Sequence, residues 1–98
     1  MKDRELLELA AKAAEYPIHS DAMFVKAGGG TETLYMGKNG PAWNPLTDDG
    51  DALRLAVKLN LWEAVRDGHQ HLDSDGDHYA ATRRAIVRAA AEIGKAMP

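Results

Sequence analysis

The chain has 98 residues, no cysteine and a formal net charge of −3. That length sets one domain over residues 1–98 with a modest core, and the missing cysteines exclude a disulfide framework, a thiolate metal site and a thiol nucleophile. The acidic balance argues against general nucleic-acid binding, which shows a basic excess; no stretch nears the ~20 apolar residues of a membrane helix, and the charged start Met1-Lys2-Asp3-Arg4-Glu5 does not lead into a signal peptide.

Asp3 is placed to cap a first helix running to about Ala14. Leu6, Leu9, Ala10 and Ala13 line one face of it, Leu7 and Ala14 widen that face, and Pro17 ends the helix. Ala22 to Ala27 reads as a short strand, Gly28-Gly29-Gly30 as a turn, and Thr31 to Gly37 as the returning strand of a β-hairpin. Gly40, Pro41, Asn44 and Pro45 make Asn39 to Leu46 a loop with defined bends. Thr47 offers a hydroxyl to the first turn of a second helix, from about Asp48 to Leu59, and Asp48, Asp49 and Asp51 lie near its positive end. Ala52, Leu55, Ala56 and Leu59 follow at i, i+3, i+4, i+7, with Arg54 and Lys58 turned towards water.

Leu61 to Arg66 reads two ways. Alternation of Leu61, Glu63 and Val65 against Trp62, Ala64 and Arg66 suits a strand, whereas Leu55, Leu59, Trp62 and Val65 keep helical spacing, with Gly68 as a terminator. Asp67 to Asp77 reads as a polar loop with a short strand around His69 to Leu72. A last helix from His78 or Tyr79 to about Ala96 buries Ile86, Ala89, Ala90, Ile93 and Met97, with Asp73, Asp75 and Asp77 ahead of its positive end.

The stretch Trp43 to Leu59, WNPLTDDGDALRLAVKL, resembles the phage ABA sandwich domain family of small bacteriophage and prophage proteins, and Asp3 to Ala14 and Thr82 to Met97 share the resemblance. It implies a phage setting and a layered α/β fold. It carries over no catalytic residue. Because it implies more sheet than one hairpin, it favours a strand at Leu61 to Arg66.

Four patterns invite a chemical reading. Asp73, Asp75 and Asp77 are spaced like the opening of a calcium loop, but His78 stands where glycine belongs and Arg84 where glutamate belongs. The simpler reading is a solvated acidic loop capping a helix. His69, His71 and His78 lie near those carboxylates without a helical pair to set their geometry. Gly28-Gly29-Gly30-Thr31 lacks the lysine and the following helix of a phosphate loop. Arg83, Arg84 and Arg88 could grip an acidic partner, Arg84 and Arg88 sharing a face at i, i+4; the simpler reading is the wet side of an amphipathic helix.

Together these observations predict an α+β fold, three helices packed on a small, mostly antiparallel sheet in the order α-β-β-α-β-α and layered as a sandwich. The expected core is Leu6, Leu9, Ala13, Met23, Val25, Leu34, Met36, Leu55, Leu59, Ile86, Ile93, Trp43 and Trp62. The expected function is that of a small phage or prophage accessory protein in the bacterial host cytoplasm. It would bind another protein, such as a host factor or defence component, through Arg83, Arg84 and Arg88, with no catalytic residue, cofactor or metal. Two alternatives stay open: a metal-dependent enzyme or metal binder using the His/Asp loop at 69–78, and a nucleic-acid binder using the C-terminal helix. An open edge on a short sheet also leaves self-pairing into a homo-oligomer available.

Overall fold

The computed structural model describes residues 2–16, 23–25, 33–35, 42–70 and 77–98. In chain order the elements are α1 (Asp3–Ala13), β1 (Met23–Val25), β2 (Thr33–Tyr35), β3 (Ala42–Trp43), α2 (Asp49–Leu59), α3 (Trp62–Gln70) and α4 (His78–Ala96). The strands form one antiparallel sheet in the order β1-β2-β3, with Phe24 opposite Leu34 and Leu34 opposite Trp43. Among the described residues the strands contribute only three, three and two residues beside four helices. The expected three-helix sandwich is therefore wrong, and the described fold is dominated by its four helices.

Residues 61–66 account for most of that difference. The strand reading fails there. Leu61 accepts the first helical bond, from the N–H of Val65 at 3.1 Å, and α3 runs on through Gly68 to Gln70. Helical spacing wins because a helix pairs its backbone groups locally while Leu61 and Val65, four residues apart, both pack against the core. The short strand expected around His69 to Leu72 is likewise displaced at His69 and Gln70, which belong to α3. The Gly28-Gly29-Gly30 turn, Met36, Pro17, and residues 71–72 of that strand lie outside the described residues.

α4 is the spine, packing against each of the other three helices. α1 runs parallel to it: Arg84 donates to Asp3 Oδ1 at 3.2 Å, Leu9 lies against Gly94, and the Lys12 ammonium donates to the Met97 carbonyl at 3.2 Å. The seam between them is built from small side chains, Ala10, Ala11 and Ala14 on one helix and Ala90, Ala91 and Gly94 on the other, with Leu7 and Val87 filling the remaining space. A close seam needs small residues, so α4 turns Val87, Ala91 and Gly94 inward and leaves Ile93 38% exposed. The expected core position of Ile93 is thus incorrect. Trp62 is also outside the core, at 51% exposure, whereas Trp43 is buried and meets the ring of Tyr16 edge-on at 5.4 Å between centroids.

Two helices end alike without glycine. Glu15 (φ 59°) and Asn60 (φ 57°) adopt the left-handed conformation. After α1, Glu15 N–H donates to Lys12 O and Tyr16 N–H to Ala11 O, each at 3.0 Å; after α2, Asn60 N–H donates to Val57 O and Leu61 N–H to Ala56 O. These paired bonds satisfy otherwise orphaned carbonyls and drive Tyr16 and Leu61 back onto the core. The starts differ from expectation. Asp3 lies inside the first turn of α1, where it pairs with Arg84, so the cap position falls to Lys2 and carries no side-chain cap, and α2 is capped by Asp48 rather than Thr47.

Gly94→Ala is expected to destabilise the protein by about 1–3 kcal/mol. Helix propensity alone favours alanine by about 1 kcal/mol, but a Cβ there would run into the Leu9 carbonyl, 2.8 Å from its carbon. Glu15→Gly should act in the opposite sense, removing left-handed strain and stabilising by about 0.5–1 kcal/mol. Urea unfolding of both variants checks the two signs.

Candidate functional site

The turn Trp43 to Asp51 positions everything around the site. Asn44 is buried and works with all its polar groups: its N–H donates to Asp51 Oδ2 (2.9 Å), its side-chain amide donates to Thr33 Oγ1 (3.4 Å), and its Oδ1 accepts the Leu46 N–H (3.1 Å). Its carbonyl accepts the N–H groups of Thr47 and Asp48. Asp48 then caps α2 by accepting the Asp51 N–H at 2.8 Å. Asp51 also takes Arg54 at 2.7 Å, and that hydrogen bond raises the guanidinium pKa above its ordinary value. No buried side-chain nitrogen or oxygen among the described residues lacks a partner.

This turn is joined to α4 by Arg83. Its Nε donates to the Leu46 carbonyl at 2.9 Å and its Nη1 to Asp49 Oδ1 at 2.6 Å. The clasp holds the start of α2 against the first half of α4, and α3 closes the other side. Between the three helices lies an open groove of about 490 Å³. Its floor is Ala52, Val65 and Ile86; Leu53, Trp62 and Tyr79 stand along its edges at 55%, 51% and 72% exposure. Asp49, His78, Thr82 and Arg83 supply the polar part of the lining. Large apolar side chains ringing one concavity mark a surface for another molecule, because each loses favourable burial by staying in water.

The expected arginine face does not assemble as one surface. Arg83 lines the groove but spends its fork on Leu46 and Asp49. Arg84 faces α1 and pairs with Asp3, and Arg88 is exposed. In the 69–78 loop, Asp77 caps α4 by accepting the Ala80 N–H at 3.0 Å, His78 begins that helix and His69 lies in α3. His71, Asp73 and Asp75 lie outside the described residues, and no group of three metal-ligating side chains occurs among the described ones.

The groove has a trace in the sequence. Leu53, which lines the groove, and Val57, which is exposed outside its lining, lie at i, i+4 among Arg54 and Lys58, on the face of α2 that the apolar periodicity assigns to water. Two large apolar residues on a wet face are a signal that the inward periodicity overshadowed.

Arg83→Ala should cost about 1–3 kcal/mol, since a charge-assisted bond to the Leu46 carbonyl is lost, and Arg83→Lys should recover little because an ammonium cannot span both acceptors. Arg88→Ala should stay within about 0.5 kcal/mol of the parent. Chemical denaturation of the three variants measures this. The chain matches no family model, no curated protein and no solved structure, so the functional argument rests on this geometry.

Proposed function

We propose that this chain is a small phage or prophage accessory protein that acts in the cytoplasm of a bacterial host by binding another protein, and that the groove between α2, α3 and α4 is its contact surface. The observation that carries the reading is the grouping of Leu53, Trp62 and Tyr79, each more than half exposed, around one apolar concavity. Aromatic side chains beside a pocket are the residue types that dominate interface energies. The phage setting is supported by the resemblance of Asp3 to Ala14, Trp43 to Leu59 and Thr82 to Met97 alone. The absence of cysteine suits a reducing compartment. No helix among the described residues is long and apolar enough to cross a membrane.

Binding is favoured over catalysis by how the polar groups are used. The charged side chains nearest the groove serve the fold: Arg83 clasps α2 to α4, and Asp48 and Asp77 cap helices. The arginine surface becomes the secondary candidate, with Arg88 its exposed member.

The test is affinity capture from bacterial host lysate with the parent, a Leu53→Gln/Tyr79→Gln double variant and Arg88→Glu. Glutamine keeps helix propensity and both positions are largely exposed, so folding should be preserved, as circular dichroism will verify. A stoichiometric partner should bind the parent and the Arg88 variant and weaken about 30-fold or more in the double variant, equivalent to the ~2 kcal/mol of an interface anchor. Capture that depends on Arg88 and not on Leu53 and Tyr79 would move the interface to the far side of α4.

A further inference from the structure

We infer that the occupant of the groove is a basic amphipathic helix supplied by the partner protein; this rests on the groove being the contact surface. The first reason is backbone chemistry. The groove is walled by three helices, whose backbone groups bond within each helix apart from the first-turn N–H groups, so it offers no strand edge along its length. An extended peptide laid there would leave its own backbone unpaired, whereas a helix satisfies its backbone internally.

The second reason is length. Along α4 the lining runs from His78 to Ile86, a span of about 12 Å at 1.5 Å per residue. That accommodates two turns, the stretch over which a helix presents apolar anchors at i, i+3 or i+4, and i+7.

The third reason is charge. At the end where α2 and α4 begin, Arg83 and Asp49 pair unequally: the arginine side chain is 17% exposed and the aspartate 70%. An occupant there meets the carboxylate and not the cation. Asp48 and Asp77, the neighbouring caps, are exposed, and each uses one carboxylate oxygen on its own helix. Among the described residues, these three carboxylates, of which Asp49 lines the groove, against Arg83 and two helix N-termini of about +0.5 each leave about −1; the adjacent Arg54–Asp51 pair cancels itself. The exposed rings of Trp62 and Tyr79 also present faces that attract a guanidinium or ammonium. Apolar floor, aromatic edges and a negative end together select apolar anchors flanked by lysine or arginine.

Three synthetic helical peptides test this by isothermal titration against the full chain: leucines at i, i+4 and i+7 flanked by lysines; the same peptide with glutamates for the lysines; and the lysine peptide with its leucines scattered around the helix. The lysine peptide should bind saturably, at least about tenfold tighter than either control, and should lose affinity to the Leu53→Gln/Tyr79→Gln variant. No saturable binding, equal affinity of the glutamate peptide, or equal affinity of the scattered peptide would overturn the assignment. So would a concentration-dependent dimer, seen by sedimentation and abolished in the double variant, which would make a second copy the occupant. If lysate capture depends on Leu53 and Tyr79 while the lysine peptide does not bind, the groove stands and the helix assignment falls. If capture ignores those residues, the groove itself falls.

Discussion

The hydrogen bonds of Asn44 hold the sheet, α2 and the route to α4 in one place. Through Thr33 it reaches β2, through Asp51 it reaches the first turn of α2, and by accepting from Leu46 and Asp48 it shapes the turn whose Leu46 carbonyl receives Arg83. A buried amide is stable only when its donors and acceptors are matched. Here the partners of the side chain and of its own backbone N–H come from separate elements, so satisfying one residue fixes their mutual positions. Pro45, fully buried beside it, removes a donor that would otherwise need a partner.

The second constraint is the close approach of α1 to α4. Because Gly94 admits the Leu9 backbone, the two helices meet along alanines, and the first and last helices of the chain close on one another. A seam of small residues buries limited apolar area per residue. The larger side chains Leu7, Leu34, Leu55 and Val87 supply the rest of the interior, where α1, the sheet, α2 and α4 converge. Leu53 on α2, Trp62 on α3 and Tyr79 on α4 lie outside that interior and stay exposed.

The groove and the clasp are therefore two results of one arrangement. Arg83 fastens α2 to α4 near the start of both helices, and α3 follows a left-handed Asn60 that turns the chain back onto α4. The concavity lies where these three helices meet, over a floor of Ala52, Val65 and Ile86. Its negative end reflects the same N-terminal capping that starts two of those helices: the carboxylates that stabilise α2 and α4 are also what a visiting side chain would encounter.

Much of the local structure was legible in the sequence. The periods of α1, α2 and α4, the hairpin pairing of β1 with β2 and the acidic helix starts follow from patterns within a few residues, where sterics and hydrogen bonding act over short range. What only the tertiary structure decided is which of several apolar faces turns inward. Residues 61–66 satisfied both a strand and a helix, and the choice depended on a core that received Leu61 and Val65. Size ranked Ile93 inside, but the seam needed Gly94 and Ala91; charge ranked Arg83 and Arg84 as a contact face, but distant carboxylates at Asp49 and Asp3 took them. A sequence declares which groups seek burial or a partner; packing alone settles which of them find one within the chain and which, like Trp62 and Tyr79, stay exposed on its surface.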